Sequence, residues 1–140
     1  QPSKAYFGKK DYQQILLIKH LVDKFFDGNI EIIQCETIRE NNGLAMSSRN
    51  SHLTQDQKHL AAMVYKEICF LKEVFLDNKY LFNENKLIVL KNLSDRGIKI
   101  EYLEILSRGT LTKPRPDDKE VNIFVAFYIG NSRLIDNIEI

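Results

Sequence analysis

Two short polar segments of this 140-residue chain combine residue types able to hold a phosphoryl group. Phe7-Gly8-Lys9-Lys10-Asp11 sets a glycine, two ammonium groups and a carboxylate just ahead of an amphipathic stretch. Glycine lets a backbone approach a ligand closely, lysine neutralises phosphate, and the free N–H groups of a helix start attract anions. Met46-Ser47-Ser48-Arg49 offers two hydroxyls and a guanidinium, which suit the charge that builds on a transferring phosphoryl group. Each segment alone also has a plainer reading, the first as a solvated helix cap and the second as a polar linker. Gln14, three residues after Asp11, shares a helical face with it.

Other candidates carry less. His20, His52 and His59 lack the spacing of a metal cluster and read as surface residues, so no metal site is expected. Cys35 and Cys69 sit in apolar runs with no adjacent His or cation to lower a thiol pKa, and read as small core hydrophobes. Arg133 and Asp136, three apart, read as a structural pair. No Walker A lysine, nucleophile elbow, His-Glu-x-x-His helix or kinase signature occurs.

The elements that must position these groups follow from apolar spacing. Over residues 12–26, Ile15, Ile18, Leu21, Val22, Phe25 and Phe26 recur at three and four, a helical stripe that Asp27-Gly28-Asn29 stops. Residues 30–35 are a β-branched run, and a helix turning directly into a strand is half of an α/β unit with a parallel sheet beside it. Residues 36–50 have no period and read as a loop. Thr54 and Gln57 form a capping box ahead of a helix whose face carries Leu60, Val64, Ile68, Leu71 and Phe75. A further helix is expected from Asn83 as N-cap, through Leu87, Leu90 and Leu93, to Gly97.

Residues 99–106 alternate charge with bulk, as a strand with one wet face does, whereas 112–118, with two prolines, must be a surface loop. Residues 121–129 are apolar on both sides, the pattern of a central strand, and Gly130-Asn131 turns into a last strand. The fold class is an α+β domain of two helices and a three-stranded antiparallel sheet, preceded by the tail of an α/β domain.

Composition bounds the function. Lys+Arg 20 against Asp+Glu 19 leaves a net charge of +1, too little cationic excess for an electrostatic nucleic-acid binder. No apolar stretch approaches the roughly 18 to 20 residues of a membrane span. With two cysteines and no signal peptide, a reducing cytoplasm fits best. The first residue is Gln1 and an amphipathic segment begins almost at once, so the start is expected to be a cut.

Read together, three stretches resemble the pantoate-beta-alanine ligase (pantothenate synthetase) family: Ala5-Tyr6-Phe7-Gly8-Lys9-Lys10-Asp11-Tyr12-Gln13-Gln14, then Asn42-Gly43-Leu44-Ala45-Met46-Ser47-Ser48-Arg49-Asn50, then Ser132-Arg133-Leu134-Ile135-Asp136-Asn137. Their order and intervals also resemble that family, over about the C-terminal half of its usual length. The resemblance implies a Rossmann-like nucleotidyltransferase domain over residues 1–36, a hinge and ATP-phosphate loop over 37–52, and a C-terminal lid domain over 53–140. It implies ATP and Mg2+, the substrates pantoate and beta-alanine, and a pantoyl-adenylate intermediate, with AMP and pyrophosphate released.

Position by position, the resemblance implies that Gly8, Lys9, Lys10 and Asp11 lie at the nucleotide, with Lys10 on phosphate and Asp11 on the ribose. Lys9 stands where the family usually has Glu. Gln14 would bind pantoate, and Ile38 would lend backbone contacts to adenine. Met46, Ser47, Ser48 and Arg49 would form the triphosphate loop, and Lys10, Ser47, Ser48 and Arg49 would act in catalysis.

The family's His-x-Gly-His motif is absent from this sequence. The chain alone is therefore expected to be inactive. Residues 1–36, cut off from their sheet neighbours, should pack against a second copy of the chain, swap or be disordered, and a homodimer is expected. The rival reading is a non-catalytic binding or dimerisation module.

Overall fold

A computed structural model describes residues 2–140, and the chain divides into two compact units, 1–38 and 39–140. In the first, strand β1 (Lys4–Gly8) pairs in parallel with strand β2 (Glu31–Cys35), in register from Lys4 opposite Glu31 to Gly8 opposite Cys35. A 3-10 turn (Lys9–Asp11) leads from β1 into helix α1 (Tyr12–Phe25). The parallel neighbour expected of β2 is thus β1, a five-residue strand too short to stand out from sequence. Helix α1 buries Tyr12, Ile15 and Val22. Phe25, expected on the same stripe, is instead 64% exposed. The stop falls where expected: Asp27 and Gly28 both take positive φ, at 48° and 70°. Cys35, expected in a core, is exposed at the end of β2.

The second unit begins in an extended segment closed by a bridge between Arg39 and Ala45, followed by a 3-10 helix (Ser48–His52). Part of the expected loop therefore has regular structure. Helix α2 (Gln55–Asn78) starts at the expected capping box: the Gln57 N–H donates to Thr54 Oγ1 at 3.2 Å, and the Thr54 N–H donates to Gln57 Oε1 at 3.0 Å. Its Val64, Ile68 and Leu71 are essentially removed from solvent, and Cys69, expected in the core, is half-buried.

Helix α3 (Phe82–Asp95) begins differently from expectation. A 3-10 turn (Lys79–Leu81) capped by Asn78 runs directly into it, so Asn83 lies inside the helix rather than capping it. The phase of its buried face follows from that start. Phe82, Val89 and Leu93 point inward, and Leu87, expected there, is 69% exposed. The other end closes as expected: Gly97 has φ 81°, its N–H donates to Ser94 O, and the Ile98 N–H donates to Leu93 O, the paired bonds of a Schellman cap.

The sheet is antiparallel, in the order β3 (Lys99–Ser107), β4 (Val121–Ile129), β5 (Ser132–Glu139). Central β4 sends Val121, Ile123, Val125, Phe127 and Ile129 into the core shared with α2 and α3, and Asn122, Phe124 and Ala126 on its other side are buried too. Each such aliphatic side chain contributes about 1.5–3 kcal/mol by leaving water. The two-residue turn from β4 to β5 starts at Gly130, where φ is 56°. No helix among the described residues is long and apolar enough to cross a membrane.

Candidate functional site

In the first unit, Gly8 ends β1 and Lys9, Lys10 and Asp11 form the turn into α1. They lie at the carboxyl end of a parallel strand, where α/β units bind ligands. Gly8 has φ −71°, which any residue adopts, and a Cβ added there would meet nothing within 4 Å. Neither backbone strain nor packing asks for glycine at this position, and its open face leaves room for a ligand to approach the chain. Lys9 pairs with Glu36, and Lys10 lies 3.3 Å from the Asp11 carboxylate. Gln14 is exposed on the first turn of α1, and Ile38, at the end of the unit, is 70% exposed.

In the second unit, Met46, Ser48 and Arg49 are exposed and Ser47 is half-buried. Ser47 caps the 3-10 helix by accepting the Arg49 N–H at 3.3 Å. Among the described residues the Arg49 guanidinium has no carboxylate partner, so its charge faces solvent. The next residue does the opposite. Asn50 is 5% exposed, and its Nδ2 donates to Glu40 Oε1 and to Ala45 O, each at 3.1 Å. A polar segment with exposed functional tips thus rests on a buried amide.

The flanking residues explain how that segment holds its shape. Arg39 Nη1 donates to Asp136 Oδ2 at 2.6 Å and Nη2 to Asp136 Oδ1 at 3.0 Å, while Nη1 also reaches Gly43 O at 3.1 Å. Burial works against the Arg39 charge, but the hydrogen bond and charge of Asp136 outweigh it and raise the guanidinium pKa above its ordinary value. The guanidinium carbon lies 3.8 Å from the centroid of the Tyr65 ring. Burial, and then a hydrogen bond with Cys69, raise the Tyr65 phenol above 10.0.

The expected pairing of Arg133 with Asp136 does not occur. Side chains alternate along a strand, so residues three apart on β5 face opposite sides of the sheet. Arg133 pairs instead with Glu101 at 2.7 Å, and Asp136 with Arg39. His20, His52 and His59 are exposed, as expected. Sequence reasoning missed Arg39 and Tyr65. The only signal lay in long-range pairing, since Arg39 and Asp136 are 97 residues apart. Among the described residues no group of three or more His, Cys, Asp or Glu is placed to hold a metal ion.

A parallel β-α-β unit and an antiparallel α+β unit, each presenting cationic and polar groups at an exposed segment, define the structural class: an α/β unit joined to an α+β unit. The family model of pantoate-beta-alanine ligase matches residues 1–139, and the chain belongs to that family. It is 40% identical over 141 residues to a pantothenate synthetase of Shewanella denitrificans, covering 99% of this chain and 48% of that protein. It is 42% identical over 143 residues to a bifunctional pantoate ligase/cytidylate kinase of Trichodesmium erythraeum, covering 99% of this chain and 27% of that one.

The crystal structure of pantothenate synthetase from Thermus thermophilus matches with a TM-score of 0.89 at 30% identity, over 99% of this chain and 50% of that chain. A pantoate-beta-alanine ligase of Francisella tularensis, complexed with beta-gamma ATP and beta-alanine, matches with a TM-score of 0.70 at 36% identity, over 99% of this chain and 44% of that one. The chain spans about half the length of the pantothenate synthetases it matches, and the matched part is their C-terminal portion.

Proposed function

We propose that the chain is the C-terminal portion of an ATP-dependent ligase that condenses pantoate with beta-alanine. The pantoate carboxylate attacks the α-phosphorus of ATP and expels pyrophosphate. The beta-alanine amine then attacks the acyl carbon of the adenylate, AMP leaves, and the amine gives up a proton. A carboxylate is a poor electrophile until its oxygen is tied to a good leaving group, which is the reason for the first step.

In this reading residues 1–36 supply nucleotide and substrate contacts, 37–52 the hinge and phosphate loop, and 53–140 a lid. Gly8, Lys9 and Ile38 offer backbone to the nucleotide, Lys10 its ammonium to phosphate, Asp11 its carboxylate to the ribose, and Gln14 its amide to pantoate. Met46 holds the start of the loop, and Ser47, Ser48 and Arg49 receive the triphosphate. Mg2+ would neutralise phosphate charge. The donor set suits an ion held mainly by the phosphates, since no carboxylate cage stands ready among the described residues.

The observation that carries the reading is the family match over residues 1–139. The open face at Gly8 and the Arg49 guanidinium, which has no carboxylate partner among the described residues, support it locally. The exposed Tyr6, Leu17, Phe25 and Phe26 support a homodimer. The fragment alone lacks the His-x-Gly-His groups, and no AMP should form when it is mixed with ATP, pantoate and beta-alanine.

In the full-length ligase, Arg49→Ala and Lys10→Ala should each lower kcat/KM for ATP by about 10²- to 10³-fold, the scale of losing one preorganised transition-state contact. Unchanged turnover and unchanged ATP affinity in both variants would return the chain to the class of non-catalytic modules.

A further inference from the structure

The segment bearing Met46–Arg49 is tied to its unit at both ends. On one side Arg39 and Ala45 form a main-chain bridge, and the Arg39 side chain spans from Gly43 O to both oxygens of Asp136. On the other, the buried Asn50 amide joins Glu40 to Ala45 O. Tyr65 of α2 is the wall against which this is set. Arg39 lies over its ring, and Gly43 packs so close that an added Cβ would come within 2.5 Å of Tyr65 Cδ1. Gly43 also has φ 95°, so both its backbone and its contact require glycine.

We propose that Arg39, gripped by Asp136 and stacked on Tyr65, is the positioning residue that fixes Met46–Arg49 before a ligand arrives. It touches no substrate itself. The inference rests on the reading of that segment as the ATP-phosphate loop.

The physical case lies in what a buried ion pair is good for. Asp136 is 7% exposed, and the desolvation of such a pair cancels much of its attraction, so an apolar pair would stabilise the fold as well. An apolar pair would not fix an angle. A planar guanidinium bound through both nitrogens to one carboxylate, stacked on a ring and donating to a carbonyl, holds its backbone in one orientation. Lysine keeps the charge but has neither the fork nor the plane.

The test uses the full-length ligase with Arg39→Lys, Asp136→Asn and Tyr65→Leu, with Tyr65→Phe as the variant that keeps the ring. Amide hydrogen exchange is read at residues 43–50 and in β4, beside kcat and KM for ATP and for beta-alanine. In the first three variants exchange at 43–50 should rise about tenfold with β4 unchanged. The term kcat/KM for ATP should fall about ten- to a hundredfold, the scale expected when a reacting group is misplaced by an ångström, with KM for beta-alanine unmoved. Tyr65→Phe should behave as the parent.

Should Asp136→Asn fail to fold, Arg39→Lys and Tyr65→Leu still decide. Unchanged exchange at 43–50, or acceleration spread evenly through β4, would overturn the proposal. Looser 43–50 amides with unmoved ATP kinetics would uphold the clamp and overturn the ATP reading instead, an outcome that Arg49→Ala checks separately.

Discussion

The two units solve the same packing problem with unequal means. The first sets one helix beside two strands and buries few large side chains, Tyr12, Ile15 and Val22, while Tyr6, Leu17, Phe25 and Phe26 remain exposed. The second sets two helices on a three-stranded sheet, and Ile68, Leu71, Ile123 and Val125 reach zero exposure. An apolar stripe in sequence states a demand for a partner. The second unit meets much of that demand in its own core but still leaves Phe70, Leu76, Leu87 and Ile88 exposed, and the first buries only Tyr12, Ile15 and Val22 among its described residues.

The largest expected effect tests this contrast directly. Leu71→Ala should lower unfolding free energy by about 2–5 kcal/mol, with the second unit's tryptic resistance lost at lower denaturant. Ile15→Ala should leave the second unit's transition where it was. A common shift of both transitions by Ile15→Ala would break the comparison.

Next, Phe25→Ser with Phe26→Ser should weaken self-association of the chain about tenfold or more in light scattering, given the roughly 1.5–3 kcal/mol that burying one such ring provides. Unchanged mass against concentration would show that those rings serve no contact. Smaller again, Thr54→Ala removes an N-cap and should cost the second unit about 1 kcal/mol in denaturant melts, with the first unit's transition unmoved.

The smallest effect concerns pH. Ser107 Oγ donates to Asp118 Oδ2 at 2.5 Å and the Arg115 N–H donates to the same oxygen, and both bonds hold the Asp118 pKa below 3.8. A depressed carboxylate pKa means that this contribution is present above the unfolded value and is lost as pH falls through the folded one. Acid melting of the second unit below about pH 3.8 should therefore be slightly steeper than in Asp118→Asn, and identical curves would remove the group from the account.

What the sequence revealed was local or two-sided. The Thr54 and Gln57 box, the Gly97 cap and the Gly130 turn each depend on neighbours a few residues away, and all formed where their residue types required. Central β4 was legible because burial on both faces removes the need for alternation. The start of α3 was not, because Asn78 caps a short turn that feeds it and so shifts which residues face inward.

The candidate site divides the same way. Gly8, Lys10, Ser47, Ser48 and Arg49 announced themselves by type and spacing. Arg39 and Tyr65 did not, because their roles exist only once β5 lies in register beside β4 and brings Asp136 opposite Val125.

That register sets an order of events. A ribosome releases Arg39 long before Asp136, 97 positions later, and the stretch between them includes α2, α3 and the two other strands of the sheet. The nascent segment around Met46–Arg49 therefore emerges without its anchor, and it gains one only when the final hairpin closes at Gly130-Asn131 and delivers a carboxylate to the waiting guanidinium.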